Sequence, residues 1–202
     1  MTTTRGFTGR RASPDVAARI PPGQYLEHDF PVLSAGPTPH VSTGDWSFTL
    51  RDGPKPIAKW SWAEFNALPQ SKATRDIHCV TKWTKLDTAW EGVLVDDIFA
   101  AAGITPPTGY MLAHSFDGYT TNVPVADMVG GKAMVALKYD GKPLHPEHGG
   151  PARLLVPHLY FWKSAKWVNG LQFTRNDEPG FWELRGYHIY GDPWREQRFT
   201  GD

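Results

Sequence analysis

Cysteine is nearly absent: the 202-residue chain has one, Cys79. An intramolecular disulfide, a zinc ribbon, a CxxC redox pair and a cysteine-held iron–sulfur cluster are therefore excluded by counting. No stretch approaches the roughly eighteen uninterrupted apolar residues of a membrane span. Net charge is also missing, with 21 Lys and Arg against 21 Asp and Glu, so no global basic field exists to collect nucleic acid or anionic lipid. GxGxxG, GxxxxGK[ST] and GxSxG are absent; Gly130-Gly131-Lys132 runs into Ala133 and lacks the hydroxyl that a phosphate loop places on magnesium. HPEH, His145 to His148, is one residue short of HxxEH, and Pro146 with Gly149-Gly150 breaks the helix that would align two imidazoles. Arg10 and Arg11 have no apolar run behind them, so neither a secretory nor a twin-arginine signal is complete and the cytoplasm is the expected location.

What is present is 40% apolar content, nine Trp, 20 Gly and 18 Pro. That composition describes a loop-rich, well-packed globule rather than a disordered chain or a helical bundle. Residues 1–24 are polar and without a sustained period, a draped or mobile lead-in, and 25–202 read as one domain. WSFTL from Trp46 alternates as a strand, with RDGPKP as a turn after it. SWAEFNAL carries Ser61 as N-cap and Glu64 three residues on, the capping-box spacing, which predicts a short helix. TRDIHCVTKWT from Thr74 reads as one strand that delivers Cys79 to its end or edge, and Val93–Ala102 as a helix stopped by Gly103. YMLAHSFDGYTTNVPV predicts a hairpin through Asp117-Gly118, with a helical turn near 125–129. AMVALKY, ARLLVP, KWVNGLQFT and FWELRGY complete a β-rich C-terminal half. The fold class is α+β, with mixed or antiparallel sheets and a few short helices.

Cationic chemistry concentrates between Asp140 and Val168. His148 and Arg153 are separated by GGPA, whose glycines would let backbone amides approach a bound group, and an arginine fork recognises phosphate bidentately. Lys163 and Lys166 flank Ser164 and add two charges beside a hydroxyl. The cluster suits an anionic ligand; the alternative is a solvated loop, against which LLVP and LYFW argue because unpaired charge beside apolar neighbours is costly. For Cys79, the plain reading is a buried small hydrophobe. The functional one is a thiolate ligand to a soft metal whose other ligands come from a cofactor, with Lys82 favouring the thiolate. A dyad with His78 is disfavoured because adjacent strand residues face opposite ways. Trp60, Trp62, Trp83, Trp90, Trp162, Trp167 and Trp182 could line a substrate funnel, with core packing the simpler role for most.

HCVTKWTKLDTAWEGVLVDDI, FPVLSAGPTP and KPLHPEHGGPARLLVPHLYFWKSAKWV together resemble the molybdopterin-binding domain of the sulfite oxidase-like oxidoreductases, over about residues 25–195. The resemblance implies molybdenum held by one pterin dithiolene and by Cys79. It further implies that the Phe-led loop, Phe30, Val32, Leu33, Ser34 and Ala35, borders the pterin, with Ser34-Ala35 standing where sulfite oxidases often carry Asn-His. His148 and Arg153 fall on the family's histidine–arginine pair, Ser164, Ala165 and Lys166 on its Ser-x-Lys element, and Ser115 on a polar strand residue, with His114 as the neighbouring option. The implied chemistry is oxygen-atom transfer on a small oxyanion or S-oxide, with Cys79, Lys82 and Trp83 nearest the reaction. Sulfoxide or N-oxide reduction and a non-catalytic molybdopterin-binding role are the alternatives. Where sulfite oxidases follow the cysteine with an arginine-bearing stretch, this chain has only Lys82 and Trp83. The chain also lacks room for a dimerisation or haem domain, which implies a monomer that exchanges electrons with a separate haem or flavin protein.

Overall fold

The structure is a computed structural model that describes residues 13–107 and 109–202. The first half of the expected lead-in, with Arg10 and Arg11, lies outside the described residues. Its second half is draped over the domain. Ser13 caps a one-turn helix, α1 (Pro14–Ala17), with no buried residue. Arg19 then forks onto Asp76 and Asp87, both at 2.6 Å.

Residues then alternate between two sheets. β1 (Tyr25–Leu26) pairs parallel with β5 (Trp83–Leu94), whose other partners are β4 (Ser71–His78) and β8 (Met134–Tyr139). β8 in turn pairs with β9 (Lys142–Pro143) and β10 (Arg153–Leu155). The second sheet runs β3 (Lys55–Ser61), β2 (Ser47–Asp52), β11 (Val168–Thr174), β6 (Tyr110–Ser115) and β7 (Thr120–Pro124). Only β2–β11 is parallel there. Two further helices complete the set: α2 (Trp62–Asn66), closed by the Ser61–Glu64 capping box, and α3 (Val95–Ala101).

Three expectations need correction. RDGPKP is a turn only at Gly53-Pro54, because Lys55 onward pairs back on β2 as β3. TRDIHCVTKWT is two strands: the β-branched composition is real, but Lys82 adopts φ +77° and reverses the chain between β4 and β5. FWELRGY is no strand; Glu183–Arg185 form a 3₁₀ turn because Glu183 is drawn inward by a buried cation.

The centre of the first sheet, in β8 and β10, is buried on both faces, and there the period of two assigns residues to one of two cores. In β8, Val135 and Leu137 join the large core shared with the second sheet and α3, while Met134 and Ala136 join a smaller one with Ile77, Cys79, Trp83, Trp90 and Phe161. β10 obeys the same rule. Leu154 enters the large core and Leu155 the small one, so Arg153, two residues before Leu155, is carried to the small-core face.

The C-terminal segment is locked to the β6–β7 hairpin by Lys163. Its Nζ donates to Glu183 Oε1 (2.6 Å), Asn122 Oδ1 (2.7 Å), Asn122 O (3.0 Å) and Ile189 O (2.6 Å), with both charged side chains 1% exposed. Lys163 therefore does not join the cationic loop cluster as its spacing suggested. Removing one member of such a pair strands the other charge in the interior. Lys163→Met is expected to lower the unfolding free energy by about 3–5 kcal/mol, read as a reduced urea midpoint.

Candidate functional site

A cavity of about 290 Å³ opens where the small core meets the loops. Three segments build it. The first is the Cys79 turn. β4 places Ile77 and Cys79 on the small-core side and His78 on the other. The Cys79 amide donates to Trp83 O (2.8 Å), and the carbonyl accepts from the Lys82 amide (3.0 Å) and from Gln24 Nε2 (3.1 Å). Thr81 Oγ1 donates to Sγ at 3.1 Å. Burial pushes the Cys79 thiol up, while the Thr81 hydroxyl and the amides of Thr81 and Val80 pull it down.

The second segment is the loop from Phe30. Its ring stacks on the His148 imidazole, with centroids 4.0 Å apart and planes 14° from parallel, and is packed by Tyr139 and Phe161. Phe30, Leu33, Ser34 and Ala35 line the cavity. Val32 points outward, 45% exposed.

The third is the run from His148 to Trp167. Arg153 is 1% exposed, and its guanidinium donates only to carbonyls, those of His148 and Ser164, both at 2.8 Å. No carboxylate pairs with it among the described residues, its Nε has no acceptor, and it lies 4.1 Å from the Phe161 ring centroid. Burial draws its pKa down to about 9. Lys166 reaches across to Ser34 Oγ (2.9 Å) and Glu147 O (2.5 Å), tying the Phe30 loop to this one. Its pKa falls to about 8, by burial first and then the charge of Arg153. His148 falls to about 4 from burial and those two cations, which leaves a neutral imidazole at neutral pH. Ser164 accepts the Val156 amide (2.9 Å), so its own proton stays available.

The glycines between His148 and Arg153 serve packing rather than a ligand. At Gly149, with φ +103°, a Cβ would lie 3.0 Å from Arg153 and Lys166 carbons, and at Gly150 2.2 Å from Leu144 O. Close approach is needed there, but to neighbouring backbone and side-chain stems.

Of the expected residues, the fold brings together Phe30, Leu33, Ser34, Ala35, Cys79, Trp83, His148, Arg153, Ser164, Ala165 and Lys166. Lys82 lies outside, exposed on the back of the turn. Ser115 is buried behind the wall, and His114 bonds Gln172 across the second sheet. Trp83, Trp162, Trp167 and Trp182 line the cavity, whereas Trp60 and Trp90 are core and Trp62 packs against it.

The structure adds Thr81, Asp117, Tyr119 and Tyr187 to the wall. Asp117 was readable only as a turn residue, and it does close that turn by accepting the Tyr119 amide at 3.0 Å. Tyr187 was hidden in a segment that reads as strand. It stacks on Trp182 (4.9 Å, 20°), and burial together with the charge of Cys79 pushes its phenol up.

The model of the family described as "Oxidoreductase molybdopterin binding domain" matches residues 35–182. The uncharacterized oxidoreductase YuiH of Bacillus subtilis (strain 168) is 43% identical over 200 residues, covering 97% of this chain and 100% of YuiH. A chain of Azospira oryzae, provisionally named as a protein-methionine-sulfoxide reductase subunit, YedZ1, is 30% identical over 133 residues, 65% of this chain and 50% of that one. The sulfane dehydrogenase SoxCD from Paracoccus pantotrophus superposes with a TM-score of 0.59 at 21% identity over 70% of this chain and 41% of its own, a likeness of fold. The α+β architecture and the family matched over most of its length agree: this chain is a member of the oxidoreductase molybdopterin-binding domain family.

Proposed function

We propose that this chain is a molybdenum-dependent oxidoreductase that binds one pterin dithiolene and moves an oxygen atom to or from a small sulfur-oxy substrate. The observation that carries it is a single buried thiol in the same cavity as a buried arginine with no carboxylate partner. Three buried donor or acceptor atoms without a partner belong to cavity residues: Arg153 Nε, His148 Nδ1 and Trp83 Nε1. Leaving such groups unmet is expensive, and a phosphate-bearing pterin with polar ring edges supplies what they lack. Among the described residues no group of three His, Cys, Asp or Glu is placed to hold a metal. Cys79 would therefore be the protein's ligand, and the dithiolene would bring the remaining sulfur.

When bound, the molybdenum supplies two-electron oxygen-atom transfer. The chain's residues do the rest. Arg153, Lys166, Ser164 and neutral His148 hold the phosphate and ring edges, with Ala165 and the backbone of the Phe30–Ala35 loop closing over them. The Tyr187 phenol, protonated at neutral pH as any tyrosine is and pushed further up by burial, can donate a hydrogen bond to a substrate oxygen. Trp162, Trp182 and Tyr187 form an aromatic wall that excludes water.

Reduction of an uncharged S-oxide or N-oxide is favoured over oxidation of sulfite by one feature. The cavity residues adjoining Cys79, Val80, Thr81 and Trp83, carry no charge, and Lys82 is turned away. The cations that do line the cavity are assigned to the pterin, leaving none for a sulfite anion. The YedZ1 name points the same way. No helix among the described residues is long and apolar enough to cross a membrane. We place the protein in the cytoplasm as a monomer served by a separate haem or flavin electron carrier.

Protein made in a cofactor-competent host is expected to contain near-stoichiometric molybdenum, lost in Cys79→Ala; elemental analysis showing full retention in that variant overturns the site. Viologen-driven reduction of dimethyl sulfoxide is expected to exceed sulfite-driven reduction of ferricyanide, and the opposite ranking restores the sulfite reading.

Lys166 generates a pH-dependent trade-off. Its folded pKa of about 8 lies below the ordinary lysine value of 10.5, so the unfolded chain binds the extra proton between those values and stability rises with pH across that window. Below pH 8 the cofactor-free protein bears the full cost of this half-buried charge. Lys166→Met is accordingly expected to raise the melting temperature of cofactor-free protein most below pH 8, with the gain shrinking toward pH 10.5, while retaining less pterin when purified from a competent host.

A further inference from the structure

Every polar atom of Cys79 is engaged, and three of its four contacts belong to the backbone or to Gln24. The amide meets Trp83 O, and the carbonyl meets the Lys82 amide and Gln24 Nε2. Gln24 is itself fixed by the Thr84 hydroxyl, which donates to its Oε1 at 3.1 Å. These contacts hold the cysteine's main chain. The sulfur is addressed separately, by the Thr81 hydroxyl at 3.1 Å.

That contact is produced by the turn. Lys82 in the left-handed region at φ +77° closes Cys79–Lys82 through the 3.0 Å bond from its own amide to Cys79 O. The closure folds Thr81 back over the residue two positions before it. A bulky residue other than glycine in that region is strained, so the turn is held by its surroundings: Tyr25 donates its amide to Lys82 O at 2.8 Å, and β1 continues the pairing onto Thr84. Thr81 is exposed on one side and lines the cavity on the other. Its side chain has no structural duty in the core, yet its single proton is aimed at the thiol sulfur.

We propose that Thr81 is a positioning residue for the metal: its hydroxyl fixes the Cys79 rotamer and withdraws electron density from the thiolate, and thereby sets the reduction potential of the molybdenum. The inference rests on the reading of Cys79 as the ligand. A thiolate that shares its lone pair with an O–H donor gives less density to the metal, which disfavours the oxidised, electron-poor state and raises the potential; hydrogen bonds to ligating sulfur act this way in other metal sites. The donor also fixes which sulfur lone pair remains for the metal, since a hydroxyl proton has one direction to give.

Thr81→Val replaces the hydroxyl by a methyl at nearly constant shape, and Thr81→Ser keeps the donor without the methyl. Holoprotein of both and of the parent would be compared by molybdenum content, melting temperature, redox titration of the molybdenum(V) electron paramagnetic resonance signal, and the thiolate-to-metal absorption bands. In Thr81→Val the midpoint potential is expected to fall and the thiolate-to-metal band to move to lower energy, with metal content and melting temperature unchanged. Thr81→Ser is expected to restore both signals. An unmoved potential and band in a fully loaded Thr81→Val, or a shift that Thr81→Ser shares, overturns the proposal. Cys79→Ala separates this from its premise: full molybdenum there defeats the ligand reading, whereas molybdenum lost there with an unmoved Thr81→Val defeats only the role of Thr81.

Discussion

An arginine without a carboxylate, buried on a strand that is covered on both faces, is the constraint around which this molecule is organised. β10 is three residues long, and all three are buried. Alternation sends Leu154 to one core and Leu155 to the other, so the Arg153 side chain must share the small core with Phe161 and Trp90. Two carbonyl acceptors and an aromatic face ease the desolvation but do not neutralise the charge. On the reading proposed above, an anionic cofactor supplies the remaining compensation. Lys163, by contrast, has Glu183 beside it inside the chain.

The neighbourhood is arranged to keep that need open. Lys166 adds a second cation, held by neutral partners in Ser34 and Glu147 O. His148 is kept neutral and stacked on Phe30, so it offers ring nitrogen without a third positive charge. Asp117 is the carboxylate on the cavity wall, and one of its oxygens is already committed to its own turn. The cofactor-free cavity is thus an electrostatically unfinished interior. On the reading proposed above, affinity for an anionic pterin and loss of intrinsic stability have the same origin, and a variant that improves one is expected to weaken the other.

Much of this was legible before the fold was known, for identifiable reasons. The Ser61–Glu64 capping box and the Asp117-Gly118 turn are local chemistry, readable within four residues, and both form. Arg153 and Lys166 could be picked out because polar donors among apolar neighbours and glycines conflict with burial unless something pays for them. The failures are of another kind. The reversal at Lys82 depends on a non-glycine residue in the left-handed region, held there by contacts with Tyr25 that lie far away in sequence. Lys163 ends the 3₁₀ turn at Phe161–Lys163 and is turned into the interior, whereas Lys166, three residues on, reaches across to Ser34. Tyr187 reached the cavity through Glu183, whose partner is on another segment.

The contrast between those two lysines also explains how the cavity keeps its shape while its charge is unsatisfied. Lys163 and Glu183 draw together the β6–β7 hairpin, the 3₁₀ turn and the C-terminal segment, and Glu183 Oε1 also accepts Trp162 Nε1 at 2.8 Å and Thr121 Oγ1 at 3.1 Å. Trp162 then packs edge-on against Tyr187, which stacks on Trp182. The aromatic wall is therefore positioned by a buried charge that has its counter-ion inside the chain. One wall is made rigid by satisfying an ion inside the chain, and the other is made receptive by leaving an ion unsatisfied. Both walls line the cavity that also holds Cys79, the residue proposed above as the metal ligand.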